Sequence, residues 1–193
     1  RYLSTSDNQF GFKSGLGCSH AINTVRCIVD RFVKCGSTVN LCALDLSKAF
    51  DKMNHHALFI KLMKIHIPLN LLCILESWFD NCFTCVKWYG VKSHFFKVNI
   101  GIRQGGVLSP FLFAIYLDDV VSRVCTHVCG SVLSIVLYAD DIIILSPSVQ
   151  VLQELLVACE NELSYLDMAL NHGRRIVSPW DGLSRPNFKS GTA

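Results

Sequence analysis

Hydrophobic residues along this chain recur with two periods, one typical of helices and one typical of buried strands. Apolar residues three or four positions apart predict amphipathic helices at about residues 19–34, 55–65, 69–81 and 149–170. Ser109 followed by Pro110 is a favourable helix start, with Ser as the cap, and predicts a helix that continues to about residue 128. Short unbroken apolar runs predict buried strands at residues 39–46, 133–137 and 142–145, and a hairpin turning at Gly90 is predicted within residues 84–100.

The order of the predicted elements indicates the fold class. Helices and strands are mixed without regular alternation, which favours an α+β fold with an antiparallel-rich sheet and helices packed on one face. The periodicity is lost from about Gly173, and residues 172–193 contain Pro179, Pro186 and three glycines. We therefore expect residues 172–193 to form a divergent, disordered tail.

Two adjacent carboxylates, Asp140 and Asp141, lie between the last two predicted strands. Charges at the edge of a core must be paired, protonated or bound to metal, so the pair indicates a divalent metal site. A solvated hairpin turn is the alternative, because Asp is common in turns. A third carboxylate, Asp45, lies near the end of the strand at residues 39–46. If neighbouring strands bring the three together, they could hold two Mg²⁺ ions about 3.5–4 Å apart and support phosphoryl transfer.

The composition narrows the class of protein. Hydrophobic residues make up 51% of the chain and charged residues 17%, below the ~25% charged that is typical of soluble domains, so the chain can fill a large core. It has no run of about 18 apolar residues and no secretory signal pattern, so we predict no transmembrane segment, no signal peptide and no membrane partner. The net charge of +3 is a weak indication of nucleic-acid affinity. Because the chain begins at Arg1, we expect it to be a fragment.

Ten cysteines without a secretory signal indicate free thiols in a reducing, intracellular compartment. Cys82 and Cys85 could combine with Cys125, Cys129 and His127 in a zinc site, since the spacing within each pair is tolerable. The alternative, which we favour, is that these thiols are small, partly buried apolar residues. No structural zinc is therefore expected.

Four segments in order carry a family resemblance. They are residues 9–12 (Gln-Phe-Gly-Phe) with 18–21 (Cys-Ser-His-Ala), 44–51 (Leu-Asp-Leu-Ser-Lys-Ala-Phe-Asp), 101–110 (Gly-Ile-Arg-Gln-Gly-Gly-Val-Leu-Ser-Pro) and 138–141 (Tyr-Ala-Asp-Asp). Together they resemble the reverse transcriptase domain of non-LTR (LINE-type) retrotransposons, over about residues 8–171. The resemblance implies a polymerase palm at residues 39–171, preceded by a partial fingers segment at residues 1–38.

The resemblance also implies the roles of the acidic residues. Asp45 and Asp140 would bind both catalytic metals, and Asp141 would assist them. The backbone carbonyl of Leu46 would ligate one metal. The implied cofactor is a pair of Mg²⁺ ions, for which Mn²⁺ is a possible substitute.

Nucleotide and template contacts follow from the same resemblance. Phe50 lies where the family has its steric gate, whose ring would clash with a ribose 2′-OH; ordinary core packing is the alternative for Phe50. Two glycines, Gly105 and Gly106, would let the backbone approach the template closely. The implied nucleotide-binding residues are Ala49, Phe50, Arg103 and Gln104, and the template-contacting residues are Gln104, Gly105 and Gly106.

A second copy of the four-residue pattern occurs at residues 116–119 (Tyr-Leu-Asp-Asp). It falls inside the predicted helix that starts at Ser109, with an apolar run before it but not after it. We therefore interpret Asp118 and Asp119 as a solvated helix face that binds no metal.

The implied function is that of an RNA-directed DNA polymerase, which adds deoxynucleotides to a DNA primer 3′-OH on an RNA template, in the nucleus or the cytoplasm. The alternative is an inactive retroelement relic that is non-catalytic or only binds nucleic acid. Arg174 and Arg175 stand where the family usually has a Lys, and no segment resembles a thumb. We therefore expect this chain alone to have little or no activity. An RNA-templated RNA polymerase is disfavoured by the bulky Phe50.

Overall fold

The computed structural model describes residues 5–127, 134–171, 176–180 and 189–190. Its helices are α1 (Cys18–Lys34), α2 (His55–Lys64), α3 (Leu69–Asp80), α4 (Ser109–His127) and α5 (Val149–Tyr165), with a short 3-10 helix at Ala49–Lys52. Its strands are β1 (Val39–Asp45), β2 (Phe83–Thr84), β3 (Lys87–Trp88), β4 (Val91–Lys92), β5 (Phe96–Lys97), β6 (Ser134–Tyr138), β7 (Asp141–Ser146), β8 (Ile176–Trp180) and β9 (Lys189–Ser190). Helices combined with antiparallel strands confirm the predicted α+β class.

A five-stranded antiparallel sheet organises the chain, in the order β6-β7-β1-β8-β9. In β1, the buried residues Cys42 and Leu44 alternate with partly exposed ones, as expected for a strand with two different faces. The Cys42 and Leu44 face packs into a core that includes residues of α2, α3, α4 and α5. The other face packs against α1, where Val29 contacts the cluster that contains Val39 and Leu145. Helices α2–α5 therefore share one face, as predicted, whereas α1 lies on the opposite face.

Part of the segment that we expected to be disordered is a strand. β8 pairs with β1 over five residues, from Val39 opposite Trp180 to Ala43 opposite Ile176. The pairing supplies main-chain partners along an edge of β1, which the loss of side-chain periodicity did not reveal. Pro179 is tolerated because β9 pairs with β8 only at residues 176–177, which leaves Pro179 beyond that contact. Residues 172–175, 181–188 and 191–193 of the expected tail lie outside the described residues.

The predicted hairpin is present in a shorter form. β3 pairs with β4 around the turn at Tyr89 and Gly90, and β2 pairs separately with β5. All four strands are exposed. Within the described ranges, no helix is both long and apolar enough to cross a membrane.

The start of α4 differs from the predicted cap. The backbone N–H groups of Phe111 and Leu112 donate to the carbonyl of Leu108. The Oγ of Ser109 is buried and has no hydrogen-bond partner among the described residues. The prediction that Ser109 caps the helix was therefore wrong, because the helix turn begins one residue earlier and carries the hydroxyl inside.

Candidate active site

Three aspartates meet at one end of the central strands. Asp45 ends β1 and lies directly opposite Asp141, the first residue of β7. Asp140 occupies the two-residue turn between β6 and β7, next to Ala139, whose φ is 58°. Directly paired residues of antiparallel strands project from the same face. Tyr138, Asp141 and Asp45 therefore form a row across β6, β7 and β1, on the face that α1 covers further along β1.

The row concentrates negative charge. Partial burial of its carboxyl raises the pKa of Asp141, and the charges of Asp140 and Asp45 raise it further. A proton or a cation would relieve this repulsion. The donors are carboxylate oxygens, which hard divalent cations such as Mg²⁺ prefer.

These carboxylates do not form a closed metal cage. Among the described residues, no group of three His, Cys, Asp or Glu side chains has an arrangement that could hold a metal ion by itself. Mg²⁺ is commonly bound by one or two carboxylates together with water and substrate phosphates, so an open arrangement is compatible with it. The residues thus fit Mg²⁺ in charge and in donor chemistry, with substrate completing the shell.

Asn171 fixes the end of β1 that carries Asp45. The side-chain Nδ2 of Asn171 donates to Oδ2 of Asp45 at 3.2 Å, and its backbone N–H donates to the Asp45 carbonyl at 2.8 Å. Leu46 forms an antiparallel bridge with Leu170 in the same segment. Sequence reasoning gave Asn171 no role at this site, because the two residues lie 126 positions apart and no local pattern links them. Arg174 and Arg175, where the family resemblance fails, lie outside the described residues.

The 3-10 helix after β1 carries two of the predicted nucleotide-binding residues. Ala49 is buried, so its side chain faces the protein and only its backbone is available to a ligand. Phe50 is partly buried, and its ring stacks on Phe113 with 4.4 Å between ring centroids and 23° between planes. Core packing therefore accounts for one side of the Phe50 ring, and its role as a steric gate stays a prediction.

The glycine-rich loop at residues 101–106 lies against this 3-10 helix. The N–H of Gly101 donates to the Met53 carbonyl at 2.8 Å, and that of Ile102 donates to the Phe50 carbonyl at 2.9 Å. A Cβ on Gly101 would lie 2.7–2.9 Å from backbone atoms of Asp51, and the φ of Gly101 is 78°, so glycine is required on both counts. The loop and the turn after Asp45 therefore form one unit.

The predicted ligand residues of this loop have different surroundings. The Nε2 of Gln104 donates to Oδ1 of Asp51 at 3.4 Å, which holds this exposed amide beside the 3-10 helix. The Nη2 of Arg103 donates to the Phe83 carbonyl at 2.7 Å, so part of its guanidinium is already engaged. Gly105 is exposed with a φ of 87°, whereas a Cβ on Gly106 would lie 2.6 Å from the Ser109 hydroxyl.

The second four-residue pattern lies in α4, as predicted, but its carboxylates are engaged within the protein. Oδ1 of Asp118 accepts hydrogen bonds from the Ser6 N–H at 2.8 Å and from the Ser6 hydroxyl at 2.7 Å. Asp119 forms an ion pair with Lys61 at 3.5 Å. The interpretation of these carboxylates as a solvated face holds for Asp119, whose side chain is 43% exposed, but not for Asp118, which binds Ser6.

Tyr116 and Lys61 are buried beside this helical motif. The Tyr116 hydroxyl donates to the Leu166 carbonyl at 2.8 Å and accepts from the Asn54 N–H at 3.4 Å. Burial raises the pKa of Tyr116. The ammonium of Lys61 donates to the Tyr116 carbonyl, and burial lowers the pKa of Lys61 despite the opposing charge of Asp119.

The alternative zinc site is not assembled by the described residues. Cys82 and Cys85 are free thiols. Cys129 and the side chains of Cys125 and His127 lie outside what the structure describes.

Known proteins resemble this chain in sequence. The family profile described as "Reverse transcriptase (RNA-dependent DNA polymerase)" matches residues 3–173. The chain is 26% identical over 167 residues to a Pol polyprotein from the type-2 retrotransposable element R2DM of Drosophila melanogaster, which covers 84% of this chain and 16% of that protein. It is 27% identical over 173 residues to the RNA-directed DNA polymerase from mobile element jockey of Drosophila funebris, covering 86% of this chain and 19% of that protein. The chain thus spans less than a fifth of the length of these two relatives.

Solved structures with the same fold include telomerases. Apo telomerase from Candida tropicalis, truncated from its C-terminal domain, matches with a TM-score of 0.74 at 16% identity, covering 92% of this chain and 37% of that one. Telomerase from the same organism in complex with a TWJ fragment of telomeric RNA matches with a TM-score of 0.75 at 14% identity, covering 92% of this chain and 31% of that one. The shared fold confirms the polymerase architecture that the sequence resemblance implied.

Proposed function

This chain belongs to the reverse transcriptase family, and from that premise we propose that it is the catalytic centre of a non-LTR retrotransposon RNA-directed DNA polymerase. The observation that carries the proposal is the pairing of Asp45 with Asp141 beside Asp140 in the adjoining turn. In this proposal the reaction adds deoxynucleotides from their triphosphates to a DNA primer 3′-OH, on an RNA template. The division into a fingers segment at residues 1–38 and a palm at 39–171, and an intracellular location, are part of the proposal.

Asp45, Asp140, Asp141 and the carbonyl of Leu46 would hold two Mg²⁺ ions, or Mn²⁺ in their place. When bound, such a pair lowers the pKa of an attacking hydroxyl and neutralises charge on the leaving group. The part played by this chain is to bring the carboxylates together and keep them oriented. Asn171 contributes by orienting the Asp45 carboxylate through its amide.

The nucleotide would be selected by the unit that joins the 3-10 helix and the glycine-rich loop. One side of the Phe50 ring is backed by Phe113, which makes the ring a rigid wall against which a ribose 2′-OH would clash. Gln104, held by Asp51, would contact the incoming base and the template, and Arg103 would offer its remaining N–H groups to phosphate. Ala49 would contribute its backbone, and Gly105 and Gly106 would admit the template strand.

Primer extension by the full-length protein that carries this segment tests the proposal. Asp140→Asn removes a charge from the turn beside the row and should lower Mg²⁺-dependent extension by about 10²–10³-fold or more, the scale seen when electrostatic stabilisation at a reacting centre is lost. Asp119→Asn, which makes the same chemical change in the helical motif, is the matched control and should retain activity. Equal activity in both variants would contradict the metal assignment.

The 193-residue chain alone provides a second readout. Because no segment resembles the thumb that grips the template–primer duplex, we expect little or no extension by this piece, and robust processive extension would contradict that expectation. An inactive relic is the alternative function, which the Arg residues at 174 and 175 favour. Failure of the intact full-length protein to extend any primer in Mg²⁺ would support the relic.

A further inference from the structure

The turn that carries Asp140 is braced by a distant segment, residues 8–11, which we refer to as the brace. The N–H of Phe10 donates to the Leu137 carbonyl, and the N–H of Leu137 donates to the Asn8 carbonyl, each at 2.8 Å. Gln9 and Leu137 form a parallel bridge. The brace therefore covers the outer edge of β6 just before the strand turns toward Asp140.

The side chain of Gln9 reaches the turn itself. Its Oε1 accepts hydrogen bonds from the N–H of Gly11 at 2.9 Å and from the N–H of Ala139 at 3.3 Å. Ala139 is the first residue of the turn, and its φ of 58° is costly for a residue with a Cβ. One carbonyl oxygen thus joins the brace to the strained residue next to Asp140.

The buried amide at position 9 is only partly satisfied. Gln9 is 0% exposed, and its Nε2 has no hydrogen-bond partner within the described part of the chain. A buried polar group without a partner carries a desolvation cost, which an apolar side chain of the same length would avoid. The Gln9 side chain therefore carries this cost while its oxygen holds the turn.

Gly11 allows the brace to approach this closely. A Cβ at position 11 would lie 2.4 Å from the Ala139 nitrogen, 3.0 Å from its Cα and 3.1 Å from Oε1 of Gln9. The φ of Gly11 is not in the left-handed region. Glycine is therefore needed here for space rather than for backbone conformation.

The other end of the brace is anchored to α4. Ser6, three residues before Gln9, binds Asp118 through both its N–H and its hydroxyl, and the N–H of Gln9 donates to the Ser6 carbonyl at 3.1 Å. Asp118 belongs to the helical copy of the motif. A continuous set of contacts thus connects the motif at residues 116–119 to the turn of the motif at residues 138–141.

From these contacts we infer that Gln9 is a positioning residue, which sets the place of Asp140 and Asp141 against Asp45 by accepting the Ala139 N–H. The inference rests on the proposed function, because it assumes that these carboxylates bind the cation. Gly11 supports the same role by admitting the brace to the turn.

Cation binding by the 193-residue chain tests this inference without requiring polymerase activity. The probe is Tb³⁺, whose luminescence is sensitised by nearby aromatic side chains such as Tyr138, displaced by titrated Mg²⁺. In Gln9→Met the side chain keeps its length but loses the acceptor, so we expect Tb³⁺ and Mg²⁺ to bind about tenfold more weakly, as for other groups that orient metal ligands. The melting temperature of Gln9→Met should fall, because the N–H groups of Gly11 and Ala139 lose their acceptor, so binding is measured well below that temperature. Weaker cation binding at a temperature where circular dichroism shows Gln9→Met fully folded is a result that a general loss of stability would not give.

Two further variants keep the outcomes distinct. Asp140→Asn should abolish the displaceable Tb³⁺ signal; if it does not, the proposed site fails and the role of Gln9 fails with it. If Asp140→Asn abolishes binding but Gln9→Met binds like the wild type, only the role of Gln9 is overturned. Should Gln9→Met not fold by circular dichroism, Gln9→Asn replaces it. Its shorter amide cannot reach both N–H groups, so weaker cation binding is again expected and wild-type binding again overturns the inference.

Discussion

The same Tyr-x-Asp-Asp pattern occurs twice in this chain, in two different kinds of secondary structure. At residues 138–141 it spans a strand, a two-residue turn and the start of the next strand, so Tyr138 and Asp141 lie directly opposite each other on one face. At residues 116–119 it lies within α4, where Tyr116 points into the core and Asp118 points to a distant segment. The element that carries the pattern, and not the pattern itself, decides whether the carboxylates face one another.

The two pairs of carboxylates also differ in what balances their charge. Asp118 receives hydrogen bonds from Ser6, and Asp119 faces the ammonium of Lys61. Burial raises the pKa of Asp141, and the charges of Asp140 and Asp45, which it faces, raise that pKa further. The helical pair is stabilised by the protein, whereas the pair in the strand turn is arranged so that a cation would stabilise it.

Replacing each tyrosine by alanine should give the largest difference in stability between the two motifs. Tyr116→Ala removes a fully buried ring and its bond to the Leu166 carbonyl, so we expect the free energy of unfolding to fall by about 3–5 kcal/mol. Tyr138 is only partly buried, and Tyr138→Ala should cost less than half as much. Urea unfolding of the two variants measures the difference. Equal losses would contradict the contrast between a core tyrosine and a site tyrosine.

Substitution of Asp118 should lower the free energy of unfolding, whereas substitution of Asp141 should not. Asp118→Ala leaves the N–H and hydroxyl of Ser6 without their acceptor and should lower the free energy of unfolding by about 1–2 kcal/mol. Asp141→Asn removes one of three mutually repelling charges and, in the absence of divalent cations, should leave stability unchanged or raise it. Thermal melts in EDTA check both, and a comparable loss in Asp141→Asn would show that this carboxylate has a stabilising role instead.

Lys61 should make a smaller, pH-dependent contribution to the free energy of unfolding. Its folded-state pKa is lowered from 10.5, mainly by burial, so the unfolded chain binds more protons between the lowered pKa and 10.5. Stability should therefore rise with pH through that window, and the rise should disappear in Lys61→Met. The measurement is the free energy of unfolding of both proteins in urea from pH 8 to 10. Subtracting one value from the other removes the contribution of the cysteines, which titrate in both proteins. A difference that does not change with pH would contradict the lowered pKa.

Local patterns were sufficient to predict much of the fold. The helices α1, α2 and α3 begin and end within one residue of their predicted bounds, because each has its own apolar face. The strands that carry Asp45 and Asp141 were predicted from their apolar runs. The grouping of the three aspartates was also accessible, since buried strands that end in carboxylates are unusual.

The contacts that orient the site were not accessible from local patterns. Gln9 contacts Ala139 across 130 positions, Asn171 contacts Asp45 across 126, and Ser6 contacts Asp118 across 112. Each is a single polar side chain outside the periodic segments, and its partner is set by how the elements pack. The pairing of β8 with β1 also escaped prediction, because main-chain pairing between distant segments has no local sequence pattern.

Locating the cation in a crystal is the sharpest test of metal binding at the three aspartates. Crystals of the chain soaked with Mn²⁺ and a deoxynucleoside triphosphate, with data collected at the manganese absorption edge, would show where the metal binds. We expect an anomalous peak among Asp45, Asp140 and Asp141 and none beside Asp118 and Asp119. A peak at the helical pair, or none at the strand turn with the nucleotide bound, would contradict it.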